Sequence, residues 1–206
     1  MPDVRHFDPD TALEAVVRLF WEKGVAATGI QDVVGATGLS RSSLYATFGG
    51  KHQLYLAALE RYTQQSSAPV LRRLAEDGRG LPAVFDFFCA LIDVRCAGEY
   101  ARWGCMISNA YVGAENADAD VRAVLEYQHG TLRDAMRSTL ATARSKGQLN
   151  PGADVEASAE LLALVAHGVN LRSRAGADTP ELRRAVTAAM EGLSSSRRSP
   201  AGFGDA

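Results

Sequence analysis

The chain has 206 residues, of which 47% are hydrophobic and 22% charged, and its formal net charge is -2 at neutral pH. This composition supports a folded domain with a substantial core, and it excludes binding of nucleic acid through a general positive field. Any DNA binding must therefore depend on a local patch of residues.

Two further classes of protein are disfavoured by the sequence. No stretch reaches the roughly 18 uninterrupted apolar residues of a membrane span, and the N-terminal residues lack the pattern of a leader peptide, so we expect a cytoplasmic protein without membrane contact. The three cysteines, Cys89, Cys96 and Cys105, are an odd number without metal-ligand spacing. We therefore predict reduced thiols, with no disulfide framework, metal or cofactor.

Three short helices are predicted near the N-terminus, because apolar residues recur there at helical spacing and strand signals are nearly absent. The first helix should begin after Asp8, a typical N-cap residue, and end at Gly24. Thr28 is predicted to cap the second helix, which ends at Gly38. Ser40 is predicted to cap the third. The pattern thus indicates two short helices joined by a tight turn, within an all-α fold.

Longer helices are predicted in the rest of the chain. Residues 51 to about 75 have a helical pattern, and Pro69 is expected to kink or divide that helix. A strongly apolar helix should then end near Gly98, and a short helical segment should begin near Trp103. A long amphipathic helix should follow and end at Gly147.

Of the last two predicted helices, 154–174 carries apolar residues in more than one stripe, and 180–193 carries one apolar stripe. This pattern predicts burial on two sides, with one face in the chain's own core and the other against a second copy. Two such helix pairs would form a four-helix bundle across a two-fold axis. The alternative is that both helices lie deep in the core of one monomer. The predicted dimer-interface residues are Leu161, Leu164, Val165, Leu182, Val186 and Met190.

The segment 24–51 resembles the DNA-binding signature of the TetR/AcrR family of repressors. The residues that carry the resemblance are Gly24, Thr28, Ile30, Val33, Gly38-Leu39-Ser40, Leu44-Tyr45, Phe48 and Lys51. The resemblance implies an N-terminal three-helix helix-turn-helix domain over residues 1–50 and a C-terminal helical ligand-binding and dimerisation domain over 51–195. Residues 196–206 are expected to be a disordered tail, because they are polar and contain Gly, Ser and Pro.

The third helix carries residue types that read DNA. Ser40 at its N-cap leaves backbone N–H groups facing outwards, and Arg41 suits paired hydrogen bonds to guanine in the major groove. The resemblance adds positions that contact the DNA backbone. The predicted DNA-binding residues are Thr28, Ser40, Arg41, Ser42, Ser43, Tyr45, Thr47 and Lys51. Because one copy brings few cations to DNA, we expect a homodimer on a palindromic operator in double-stranded DNA.

The resemblance also implies a pocket for a small-molecule inducer in the second domain, although the sequence does not identify the molecule. The candidate lining residues are Phe85, Phe88, Trp103, Cys105, Asn109, Tyr111, Tyr127, His129 and His167. Ordinary core packing is the alternative for each aromatic residue. A core or interface role is the alternative for His167, because that residue lies in an apolar helix.

Two other functions are alternatives to an inducer-released repressor. Cys105 lies near a predicted helix start, and the resemblance extends to repressors that sense electrophiles or oxidants with a cysteine in a comparable region, so a thiol sensor is one alternative. A helical protein-interaction adaptor is the second. An enzyme is not predicted, because the sequence contains no catalytic motif such as GxSxG or HExxH.

Overall fold

The computed structural model describes residues 8–195, and helices make up most of that range. The helices are α1 (Pro9–Lys23), α2 (Ile30–Thr37), α3 (Arg41–Phe48), α4 (Lys51–Tyr62), α5 (Ala68–Glu76), α6 (Leu81–Cys96), α7 (Met106–Val112), α8 (Ala119–Ser145), α9 (Val155–Arg174) and α10 (Thr179–Leu193). Within the described range no strand forms, and one isolated bridge joins Leu149 to Ser194. The predicted all-α fold is confirmed. The expected tail, 196–206, lies outside the described residues.

Local capping chemistry defines most of the N-terminal helix boundaries. The Asp8 carboxylate accepts the Asp10 N–H at the start of α1, and the Ser40 hydroxyl accepts the Ser43 N–H at the start of α3. Gly38 ends α2 with φ at +68°, in the left-handed region that glycine adopts at little cost. These predicted helix ends are confirmed.

The predicted cap of α2 is wrong by one residue. Gly29 occupies the N-cap position, and its N–H donates to the carboxylate of Asp32 at 2.7 Å. The side chain of Thr28 is buried, and its hydroxyl donates to the Gly24 carbonyl at 2.7 Å. The physical reason is that the end of α1 leaves carbonyl groups without helical partners, and the Thr28 hydroxyl satisfies one of them.

The small N-terminal core continues into the rest of the molecule. Helix α4 packs along α1, and its buried side chains, including Leu54 and Leu59, join those of the first three helices. The same hydrophobic cluster includes Ile107 of α7 and Leu125 of α8. A shared core therefore joins the helix-turn-helix to the helices that follow it.

The predicted long helix over 51–75 is divided, as its proline suggested. A turn of π-helix over Thr63–Ser67 separates α4 from α5, and Pro69 lies in the first turn of α5. Proline fits there because the N–H groups of a first helical turn have no partner within the helix.

The second core lies among α5, α6, α8, α9 and α10. Leu182, Val186 and Met190 of α10 are buried in it, and α10 packs mainly on α6. On α9, by contrast, Leu161 is 45% exposed and Leu164 is 56% exposed. The monomer thus covers the apolar stripe of α10 and leaves part of α9 open. None of the described helices is long and apolar enough to cross a bilayer.

Candidate nucleic-acid interface and ligand cavity

Helix α3 has one face in the core and one in solvent. Leu44 is buried and Phe48 packs partly against the same cluster. Arg41 and Thr47 are exposed on the other side. The Arg41 guanidinium lies over the Tyr45 ring, 5.2 Å from its centroid, which supports the arginine without removing its N–H groups from solvent.

The N-terminal turn of α3 forms a small cluster of hydroxyl groups. Ser40 Oγ lies 2.9 Å from both Ser42 Oγ and Ser43 Oγ, and it accepts the Ser43 N–H at 3.1 Å. The first N–H groups of the helix point out of the protein at its positive end, an arrangement that suits a phosphate or a base edge. Lys51 begins α4 one turn beyond the end of α3 and is half-buried.

Among the residues predicted to contact DNA, Thr28 differs from the others. Its side chain is 1% exposed, so its hydroxyl does not belong to this surface. The other predicted residues lie on or beside α3: Ser40, Arg41, Ser42, Ser43, Tyr45, Thr47 and Lys51. The buried hydroxyl of Thr28 supports the backbone just before α2.

A side-chain contact joins the start of α4 to the start of α8. The His52 ring lies 3.7 Å from a carboxylate oxygen of Asp118 and 3.6 Å from one of Asp120. These three residues are the only group in the described part of the chain whose donor atoms are close enough together to hold a metal ion. The other oxygen of Asp118 accepts two N–H groups at the start of α8, which gives this carboxylate a structural role as well.

A cavity of about 390 Å³ lies between the two cores. This volume is within the range of small-molecule sites. Its wall is mostly apolar and aromatic, with a few polar groups. The lining residues are Trp21, Tyr62, Ser66, Ser67, Val70, Leu71, Phe87, Ala90, Leu91, Val94, Arg95, Tyr100, Cys105, Ile107, Ser108, Gln128, Leu132, Ala166, His167 and Asn170.

Only part of the predicted pocket lies in this wall. Cys105 and His167 line the cavity, whereas Phe88 is fully buried in the second core. Phe85 is 42% exposed, and Tyr127, 71% exposed, borders a separate surface groove.

Four further candidates lie outside the lining set. Trp103 lies in the segment before α7, and the amide of Asn109, within α7, donates to its carbonyl at 2.8 Å. Tyr111 and His129 contact His167 from outside the cavity.

Sequence reasoning missed the most polar part of the wall. Arg95 is 8% exposed, and its Nε donates to Asn170 Oδ1 at 2.7 Å. Its Nη2 donates to the Tyr62 hydroxyl at 3.1 Å, and its guanidinium lies 5.4 Å from the centre of the Trp21 ring. The available signal was the only arginine of a largely apolar helix. An arginine near the end of a helix is also common without a ligand, so this signal is not specific.

A chain of hydrogen-bonding side chains leads from the cavity wall towards the surface. Ser108 Oγ lies 2.9 Å from His167 Nδ1, and His167 Nε2 lies 3.3 Å from His129 Nδ1. His129 Nε2 lies 3.1 Å from a carboxylate oxygen of Glu160. Burial lowers the pKa of His167 below its ordinary value of 6.5, and the neighbouring His129 lowers it further. His167 is therefore neutral at pH 7.

The same region holds the end of α1 in place. Trp21 Nε1 donates to the Gly104 carbonyl at 2.8 Å, and Arg174 at the end of α9 donates to the carbonyl groups of Trp21, Glu22 and Trp103. Gly104 has φ at +67°, and an added Cβ would lie 3.0 Å from a backbone oxygen on α9. A glycine is thus required where this turn passes between α1 and α9.

Comparison with known proteins agrees with this architecture. Residues 12–58 match the family described as bacterial regulatory proteins, tetR family, and residues 80–189 match the tetracyclin repressor-like C-terminal domain. The chain is 29% identical to the transcriptional repressor ComR of Escherichia coli, over 85% of this chain and 84% of ComR. It is 32% identical to the regulator YezE of Bacillus subtilis, over 75% of this chain and 79% of YezE.

A solved structure extends the similarity to three dimensions. It holds a cysteine mutant of the TetR family transcriptional regulator CifR with a 26-base-pair double-stranded operator DNA. The TM-score is 0.80 at 25% identity, and the match covers 92% of this chain and 98% of that one. The two family matches together span more than half of the sequence. The chain belongs to the TetR family of bacterial transcriptional regulators, and the predicted resemblance is confirmed.

The low pKa of His167 makes the stability of the protein depend on pH. In the unfolded chain His167 binds a proton at its ordinary pKa of 6.5, whereas in the folded chain it does so only at a lower pH. The contribution of His167 to the free energy of unfolding is therefore complete above pH 6.5 and is lost as the pH falls from 6.5 towards the lower pKa of the folded protein. We expect His167→Gln to have a smaller fall in melting temperature between pH 7.5 and 5.5. Titrating groups that the unmodified protein shares with His167→Gln contribute equally to the two falls in melting temperature and cancel when these are compared. Equal falls in the two proteins would contradict the lowered pKa of His167.

Proposed function

We propose that this protein is a homodimeric repressor that binds a palindromic operator through α3 and leaves the operator when an organic small molecule occupies the cavity. In this proposal residues 1–50 bind DNA, and residues 51–195 bind the ligand and pair with a second copy. The protein acts in the cytoplasm, by binding and not by catalysis. The exposed face of α3, with Arg41 and Thr47 outside and Leu44 inside, is the observation that carries it.

The contacts around Trp21 suggest how a ligand would act on DNA binding. Trp21 belongs to α1 of the DNA-binding domain, yet its ring forms part of the cavity wall. A ligand that moves this ring also moves the end of α1, which Arg174 ties to α9. The ligand then favours a conformation in which the two α3 helices no longer match adjacent major grooves.

The proposed operator contacts separate base reading from phosphate binding. With an operator selected from a random DNA pool, Arg41→Ala should cost about 1–3 kcal/mol of binding free energy and relax the preference at one base pair. Lys51→Ala should weaken binding to all DNA sequences similarly, and it should reduce the salt dependence of the binding constant by about one released counterion. The measurement is fluorescence anisotropy over a range of salt concentrations.

Arg18→Ala is the matched control for these variants, because Arg18 is an exposed arginine on α1 that pairs with Glu99. Its operator affinity should equal that of the unmodified protein. Loss of affinity in the control to the same extent as in Arg41→Ala would show that general charge, and not the surface of α3, drives binding. A selected sequence without two-fold symmetry would contradict the dimeric repressor.

The exposed side of α9 is the proposed dimer interface. Leu161 and Leu164 are exposed here, whereas the predicted partners on α10 are covered within the monomer. We expect Leu161→Glu with Leu164→Glu to weaken dimerisation by at least about 30-fold, since buried carboxylates without partners cost more than 2 kcal/mol.

Light scattering after size-exclusion chromatography measures this change. Val112→Glu is the control, because Val112 is 71% exposed on α7 and lies outside the hairpin of α9 and α10. A double variant that stays dimeric at micromolar concentration would place the interface elsewhere.

A thiol sensor is a second candidate, favoured by the position of Cys105. This residue lies in the cavity wall together with Tyr62. An electrophile that enters the cavity would therefore meet the sulfur directly. In the reaction with N-ethylmaleimide, the sulfur bonds to one carbon of the double bond and the thiol proton ends on the other carbon.

We expect N-ethylmaleimide to lower operator affinity by about tenfold or more, in line with the coupling between sites in switching proteins. Cys105→Ser should remove this response, whereas Cys89→Ser and Cys96→Ser should keep it. Gel shifts with and without the reagent measure the effect. An equal response in Cys105→Ser would exclude the thiol sensor and leave the repressor proposal intact.

A further inference from the structure

Arg95 is a buried cation that has no anionic partner in the part of the chain that the structure describes. Its two hydrogen-bond acceptors, the Tyr62 hydroxyl and the Asn170 amide oxygen, are both neutral groups. Burial raises the pKa of Tyr62 far above its usual value, so that hydroxyl remains uncharged. Among residues 8–195, no carboxylate lies within ion-pair distance of the Arg95 guanidinium.

The nearest acidic residues in sequence are engaged elsewhere. Asp93 pairs with Arg183 at 2.8 Å, and Glu99 pairs with Arg18 at 3.6 Å. Both pairs lie at the exposed surface. Within residues 8–195 the fold therefore places a permanent positive charge in the cavity wall and supplies no negative charge to meet it. A buried charge of this kind is costly unless a partner compensates it.

The free donors of Arg95 indicate the kind of partner. A guanidinium has five N–H groups, and two of them donate to protein acceptors in the described residues. The remaining donors form the planar fork that binds a carboxylate with two parallel hydrogen bonds. Asn170 and the Trp21 ring hold the guanidinium in place, so a ligand would meet a group that is already oriented.

The rest of the wall indicates the body of the ligand. Phe87, Leu91 and Val94 of α6 line the cavity together with residues of α5 and α8, and most of these side chains are apolar: Val70 and Leu71 on α5 and Leu132 on α8, with Gln128 as the polar exception. An inorganic anion would leave this surface without contact. An organic anion with an apolar body would satisfy both parts of the site.

From these observations we infer that the cavity binds an organic monoanion, of which a carboxylate with an aliphatic or aromatic body is the simplest form. The carboxylate pairs with Arg95, and the body lies against α5 and α6. This inference rests on the proposed function in one respect only, since it assigns a chemical class to the inducer of that repressor.

The test measures direct binding to the full-length protein without DNA. The probes are two matched pairs, octanoate with octanamide and 2-naphthoate with 2-naphthamide, because each pair differs in charge and hardly in shape. Calorimetry and melting curves should show each carboxylate binding about tenfold to a hundredfold more tightly than its amide, as expected for hydrogen bonds to a charged group.

Three variants assign the preference to Arg95. Arg95→Gln should reduce the ratio of carboxylate to amide affinity to about one, whereas Arg95→Lys should keep part of it because the charge remains. Arg72→Gln is the matched control, since Arg72 is exposed on α5 and does not line the cavity. A ratio near one in the unmodified protein, a ratio that survives in Arg95→Gln, or no binding of either carboxylate at millimolar concentration would overturn the inference. The first and third of these outcomes need no variant, so the test stands even if Arg95→Gln does not fold.

A second arm with operator DNA separates this inference from the proposed function. If carboxylates bind but leave operator affinity unchanged, the ligand site stands and the inducer mechanism fails. If only neutral compounds release the operator, the repressor stands and the anionic ligand class is wrong.

Discussion

The position of the Trp21 ring is the constraint on which the arrangement of the two functional regions depends. Its indole N–H is satisfied by the Gly104 carbonyl, and its ring stacks on Tyr100 and meets Tyr62 and Trp103 edge to face. Removal of a buried ring of this size costs about 3–5 kcal/mol in typical proteins. The end of α1 therefore cannot change place unless this cluster repacks, and the cavity lies against the cluster.

Helix α9 connects the three surfaces that the proposed function needs. Near its start it leaves Leu161 and Leu164 exposed, in its middle His167 and Asn170 face the cavity, and at its end Arg174 binds the carbonyl groups of α1. A helix is stiff over the length of α9, so a shift of the helix at one of these three sites also moves the other two. The dimer partner, the ligand and the DNA-binding domain are thus coupled through one element.

Features set by local chemistry could be predicted from the sequence, and features set by helix rotation could not. The caps at Asp8 and Ser40 and the all-α fold follow from neighbouring residues. The hydroxyl of Thr28, by contrast, had two possible partners, the free carbonyl groups at the end of α1 and the free N–H groups at the start of α2. Phe87 and Phe88 illustrate the second limit. They are adjacent, yet Phe87 lines the cavity and Phe88 lies in the second core, because successive helical residues point about 100° apart.

The pairing of α9 and α10 shows the same limit in the dimer prediction. Both helices have apolar stripes in sequence, but α6 covers the stripe of α10, and only tertiary packing decides which stripe is left over. Arg95 takes the argument from packing to mechanism. A ligand shifts a conformational equilibrium only by its difference in affinity for the two states. Since the Arg95 guanidinium lies over Trp21, an anion that pairs with it in place would lie against the same cluster that fixes α1. The energy of charge pairing would then stabilise one arrangement of the contacts that hold the DNA-binding domain.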